Sequence, residues 1–147
     1  MRGTPKLRYS VHGTFALLWL LGAAVFVLKH FFAVAGEFGS TPHPWQPTLL
    51  LMHGIVAVVA TFLFGWVSGD HVATTWRMRA DRASGVWLLV LVAALIITGF
   101  AAFFVVDDSV RAVNGTVHEW LGLALMIPWT AHLLFGRGAR TRRRQAN

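Results

Sequence analysis

The sequence predicts an all-α membrane protein, a four-transmembrane-helix bundle with both termini cytoplasmic. Three observations carry that expectation. Of 147 residues, 56% are hydrophobic and only 13% charged, against roughly 25% charged in soluble domains. Four apolar runs are long enough to cross a bilayer, which takes about 20 residues of helix. Cations gather on alternate connections between those runs, as the positive-inside rule requires of a multi-pass protein.

The runs cover about 11–34, 48–68, 84–106 and 113–135. Little of the chain lies outside them, so 1–147 reads as a single four-helix domain, with any function in the helices or on their short faces. The first run follows Arg2, Lys6 and Arg8 and closes on Ala33-Val34-Ala35, which imitates a signal peptide and its cleavage site. Its apolar length exceeds the roughly 7 to 15 residues of a signal sequence, so a retained first helix is expected. The connection "GEFGSTPHPWQP" that follows is dense in Gly and Pro. Each X-Pro disfavours helix at the preceding residue, which predicts an ordered, turn-rich loop.

The second run leads into the polar connection "GDHVATTWRMRADRASG", and Ser84-Gly85 opens the third. The fourth contains "VHEWLGLALMIPWTAHLL". Arg77, Arg79 and Arg82 lie between the second and third runs, and Arg137, Arg140, Arg142, Arg143 and Arg144 follow the fourth. Together with the N-terminal cations they mark the cytoplasmic face. The opposite face carries only Lys29 and Arg111 as cations, beside Glu37, Asp107, Asp108 and Glu119. Topology and anionic lipid account for the net charge of +7, so lipid is an expected partner and nucleic acid is not. Trp45, Trp76, Trp120 and Trp129 lie toward helix ends, where tryptophan serves as an interfacial anchor.

The chain has no cysteine, which excludes disulfides, thiolate nucleophiles, iron–sulfur ligation and thioether-linked haem. There is no P-loop, nucleophile triad or spaced carboxylate pair, so hydrolysis is not expected.

Seven histidines remain, and histidine inside a bilayer is a candidate functional group by default. With helices one and three running outward, His12, His71 and His132 fall in the cytoplasmic half. His30, His53 and His118 fall in the outer half, and His43 is a loop residue. His118 and His132 are fourteen residues apart, which is roughly 21 Å along a helix and about four turns at the 3.5-residue period of left-handed packing. Both are therefore expected on one interior seam, one imidazole in each of two stacked layers. His53 is expected near the depth of His118, and His12 near that of His132. His30 and His71 lie about one turn outside those layers and are second-choice ligands.

Haem iron is the first candidate for such paired imidazoles, because a flat apolar macrocycle suits the greasy interior while its iron takes an axial ligand from each side. Zinc or copper would gather three or four donors in a compact shell, and no carboxylate is evident at either depth. Gly13, Gly54, Gly122, Gly22 and Gly65 are places where a backbone can approach a large ligand or another helix. Arg8, Arg77, Arg79, Lys29 and Arg111 are placed to neutralise propionates, although topology alone accounts for most of them.

This pattern resembles the bacterial four-helix di-haem b-type cytochromes, a group that includes the cytochrome b561 type and the membrane subunits of formate dehydrogenases and nickel–iron hydrogenases. The residues that carry the resemblance are His12 in "RYSVHGTFALLWLLG", His53 in "LLLMHGIVAVVATFLFG", and His118 with His132 in the fourth run. The resemblance implies two haems b in the bacterial inner membrane. It pairs His12 with His132 and His53 with His118 as axial ligands, and it implies electron exchange with quinone or quinol, or with a redox partner subunit; a homo- or hetero-oligomer is compatible with that. His71 in place of His12 is the alternative for the inner ligand. An electron-transfer cytochrome is favoured over a stand-alone quinone oxidoreductase, for which His30, His71, Asp70 and Glu119 would be the titratable groups. A cofactor-free or metal-binding structural subunit of a larger membrane complex is the rival of a different class.

Overall fold

The computed structural model describes residues 5–36, 39–77 and 82–134. These residues are mostly helical, and three helical stretches are long and apolar enough to span a membrane: Tyr9–Phe31, Gln46–Gly69 and Gly85–Phe104. Only 11%, 6% and 6% of their apolar windows is buried within the protein. The remaining apolar surface is suited to lipid, since water-facing helices carry polar residues on one side. The chain divides into two compact units, Met1–Gly69 and Asp70–Asn147.

In the first unit, α1 (Pro5–Phe31) starts six residues earlier and ends three earlier than the apolar run suggests. Proline is well tolerated at a first helical position, where its missing N–H would have had no partner. At the other end, Lys29 and His30 sit in the last turn, where positive charge suits the helix dipole. The expected turn-rich loop contains a short antiparallel hairpin of β1 (Val34–Gly36) and β2 (Gly39–Thr41), with Val34 opposite Thr41 and Gly36 opposite Gly39. Gly39 has φ +114°, a conformation open to glycine and strained for other residues. A Cβ on Gly36 would lie 2.9 Å from Thr41 Cγ2 and 3.1 Å from the Gly39 carbonyl oxygen, so the tip of the hairpin needs glycine at both positions.

α2 (Gln46–Arg77) continues nine residues past the expected end of the second apolar run. Apolarity stops there, but helix-forming residues do not: no proline occurs between Pro47 and Pro128, and a lone glycine such as Gly69 costs only about 1 kcal/mol relative to alanine. Much of the predicted inner connection is therefore helix. Within the first unit, Phe15 of α1 and Phe64 of α2 meet edge to face, their ring centroids 6.4 Å apart.

In the second unit, α3 (Arg82–Phe104) precedes α4 (Asp108–Ala124). Asp107 caps α4: its Oδ1 accepts from the backbone N–H groups of Ser109 and Val110, both at 2.9 Å, and from the Ser109 hydroxyl at 2.5 Å. Arg111 pairs with Asp108 one turn along. The outer charges expected here thus build the start of a helix, five residues before the apolar run begins.

The fourth apolar run is not one uninterrupted helix. α4 ends at Ala124, Leu125 is a turn, and helix resumes over 126–134. Pro128 explains the site of the break, because it has no N–H for the Ala124 carbonyl and its ring crowds that same oxygen. The interruption is small. Leu125 keeps right-handed helical dihedrals (φ −54°, ψ −31°), and Trp129 N–H donates to the Leu125 carbonyl at 3.1 Å.

Candidate functional site

In the first unit, His53 is anchored across two helices. Its Nδ1 lies 3.1 Å from the main-chain carbonyl oxygen of Leu18 on α1. A carbonyl only accepts, so Nδ1 carries the proton and the lone pair of this neutral imidazole resides on Nε2. The ring fits there because of Gly22. A Cβ at that position would stand 3.0 Å from His53 Cε1 and 3.4 Å from Nδ1. In a helix, the side chain one turn on leans back over the preceding turn, and Gly22 has none to cover the Leu18 carbonyl.

His118 occupies a comparable seat in the second unit. Its Nδ1 lies 2.8 Å from Thr98 Oγ1 on α3. The Thr98 hydroxyl also lies 2.8 Å from the Ala94 carbonyl oxygen and 3.3 Å from that of Leu95. When the single hydroxyl proton goes to one of these carbonyls, the Thr98 oxygen can receive a proton from His118 Nδ1. In that arrangement too the lone pair falls on Nε2. Gly99 makes the room, since a Cβ there would lie 3.2 Å from His118 Cε1.

His132 faces α3 as well: a Cβ on Gly85 would be 4.0 Å from its Cε1, an ordinary contact. Between the two histidines, Gly122 faces Leu95, with a would-be Cβ 3.8 Å from Leu95 Cδ2. Along these contacts α3 advances from 85 to 95 to 99 while the following helix falls from 132 to 122 to 118 in equal steps. His118 and His132 therefore stay on one face despite the break at Leu125, in keeping with the fourteen-residue spacing.

The other histidines differ. His12 is half-buried on α1. His30 is exposed at the end of α1, its ring 4.4 Å from that of Phe26 one turn earlier. His43 has the opposite polarity to His53 and His118, because its Nδ1 accepts from the Trp45 backbone N–H at 3.2 Å and so shapes the turn into α2. The backbone of His71 lies in α2, but its side chain falls outside the described residues, as do those of Asp70, Arg8 and Arg77. Arg79 lies outside them altogether. Glu119 is half-buried on α4. Arg111 is engaged by Asp108 and by the Val106 carbonyl.

The glycines divide the same way. Gly22 holds an imidazole, whereas a Cβ on Gly13, Gly54 or Gly65 would meet nothing within 4 Å among the described residues. Thr98, Gly99 and the Leu18 carbonyl were not among the sequence candidates, because nothing in one helix announces what its neighbour will place opposite. Trp19, next to Leu18, has a shielded Nε1–H with no hydrogen-bond acceptor among the described residues. Among those residues, no three His, Asp or Glu side chains gather into a metal-ligand set. Comparison with family models, curated proteins and solved structures found no match for the chain.

Proposed function

We propose that the chain is a b-type cytochrome of a bacterial inner membrane, with both termini cytoplasmic, that passes electrons through two bis-histidine haems to or from quinone or a redox partner protein. The observation that carries this reading is the common state of His53 and His118. Each is seated on a glycine of the adjacent helix with Nδ1 in hydrogen-bond range of a fixed oxygen that can accept its proton, the Leu18 carbonyl or the Thr98 hydroxyl, an arrangement that puts the lone pair on Nε2. That is the tautomer an axial iron ligand needs, and an acceptor behind the ligating imidazole is its usual support.

The residues that would hold the haems are His53 with His118 and His12 with His132, paired as in the resemblance. Haem b would supply a one-electron iron couple. The protein's part is to fix each ring plane through Leu18 and Thr98, to hold the Nδ1 protons, and to surround the site with apolar side chains that exclude water. A compact zinc or copper site is less well supported, since it would call for three or four donors.

The test is a reduced-minus-oxidised visible spectrum of the purified protein with haem counted per chain. Two b-type haems, falling to one in His53→Ala and to one in His132→Ala, are expected. A colourless protein after expression with ample haem would overturn the proposal and favour a structural subunit of a larger membrane complex.

A further inference from the structure

Among the described residues, α3 is the one long helix without a histidine, yet it faces both imidazoles of the segment that follows it. Its Thr98 is held from two directions. The Thr98 hydroxyl lies 2.8 Å from His118 Nδ1 and also 2.8 Å from the Ala94 carbonyl oxygen, to which it can donate. The Thr98 main-chain carbonyl accepts from Asn114 Nδ2 at 2.9 Å. Asn114 and His118 are one turn apart on α4, so two neighbouring side chains of one helix grip a single residue of the other. The Thr98-Gly99 pair recurs in the sequence as Ser84-Gly85, fourteen residues earlier, the same interval that separates His118 from His132.

We infer that Thr98 is the positioning residue of His118: the relay from His118 Nδ1–H through the Thr98 hydroxyl to the Ala94 carbonyl fixes the tautomer and ring plane and makes Nε2 a stronger donor. Successive hydrogen bonds polarise one another, so an imidazole that donates to an already donating hydroxyl gains electron density on its second nitrogen. Asn114 keeps the hydroxyl in place by holding the same residue's backbone. The tautomer is a property of the protein itself. Its consequence for iron rests on the proposed reading of His118 as an axial ligand.

The test compares Thr98→Val, which keeps the shape but removes the acceptor, with Thr98→Ser, which keeps the acceptor. The full chain, labelled with ¹⁵N-histidine, is examined in lipid bicelles both as obtained without haem and in the reduced, diamagnetic haem-bound state. Without haem, His118 is expected to show a protonated Nδ1 and an unprotonated Nε2. The valine variant should lose that preference and the serine variant retain it. With haem, the valine variant should bind one of the two haems about 10-fold or more weakly. The midpoint potential of that haem should rise, because a less electron-rich imidazole stabilises ferric iron less, and serine should restore both values.

A wild-type His118 protonated on Nε2, or a valine variant with unchanged imidazole signals and potential, would overturn the inference even if two haems bind. The expected haem-free signals in a protein that never takes up haem would leave Thr98 as the positioning residue and overturn the cytochrome reading alone.

Discussion

The α1–α2 pair and the α3–α4 pair seat an imidazole in the same way and anchor it differently. Each places a glycine of the first helix against a histidine of the second, Gly22 under His53 and Gly99 under His118. In the first pair the acceptor is main chain, the Leu18 carbonyl, which also receives the helical N–H of residue 22. In the second it is the Thr98 side chain. A main-chain acceptor cannot be removed by substitution but can be covered. A side-chain acceptor can be exchanged one atom at a time. The first imidazole is thus governed by the space above a glycine, and the second by the chemistry of a hydroxyl.

Glycine-to-alanine substitutions probe this difference in graded steps. Gly22→Ala has the largest expected effect, because its Cβ would stand 3.0 Å from His53 Cε1 and 3.4 Å from Nδ1, so the ring must give by a few tenths of an ångström at the very atom that meets the Leu18 carbonyl. Stranding a shielded donor costs about 1–3 kcal/mol, only partly offset by the gain of about 1 kcal/mol when alanine replaces a helical glycine. Unfolding in mixed micelles should show net destabilisation, with loss of the anchored Nδ1 signal of His53. Unchanged stability and an unchanged signal would mean that Gly22 is merely a packing glycine.

Gly99→Ala meets His118 at 3.2 Å, a distance that a small ring shift relieves while the Thr98 bond persists. A net change of about 1 kcal/mol or less is expected by the same unfolding measurement. Gly85→Ala makes only a 4.0 Å contact with His132 and should be neutral or stabilising by up to about 1 kcal/mol. If the Gly85 variant were instead as damaging as the Gly22 variant, the grading by distance, and with it the distinction between the two helix pairs, would fail.

The smallest effect belongs to the cap of α4. The Ser109 hydroxyl, followed by the Val110 backbone N–H, holds the Asp107 carboxyl below its ordinary range. A group whose folded pKa is depressed adds stability above its unfolded value, here about 3.9, and that contribution is lost as pH falls through the depressed value. The Ser109 and Val110 amides should therefore lose protection from exchange only in the acid range below about 4. Asp107→Asn should abolish that acid step while keeping the cap, since asparagine caps as well as aspartate.

Much of this architecture is legible in the sequence for simple reasons. Three of the four apolar runs are helices long and apolar enough to span a membrane, because length and hydropathy are local properties and a helix satisfies its backbone internally. The histidine spacing likewise survives as a shared face, since fourteen residues return to the same side whether or not one hydrogen bond is missing at Pro128. The extension of α2 to Arg77 was less visible, because hydropathy marks where lipid would end and not where helix ends.

By itself the sequence determined the helical class, the apolar exterior and the fourteen-residue interval between His118 and His132; all three follow from composition and from the order of residues along a single helix. Only the tertiary structure decided what the Nδ1 atoms of His53 and His118 meet. Those partners are the Leu18 carbonyl and the Thr98 hydroxyl, 35 and 20 residues away along the chain, and they come within reach only when two helices settle into one register over a glycine.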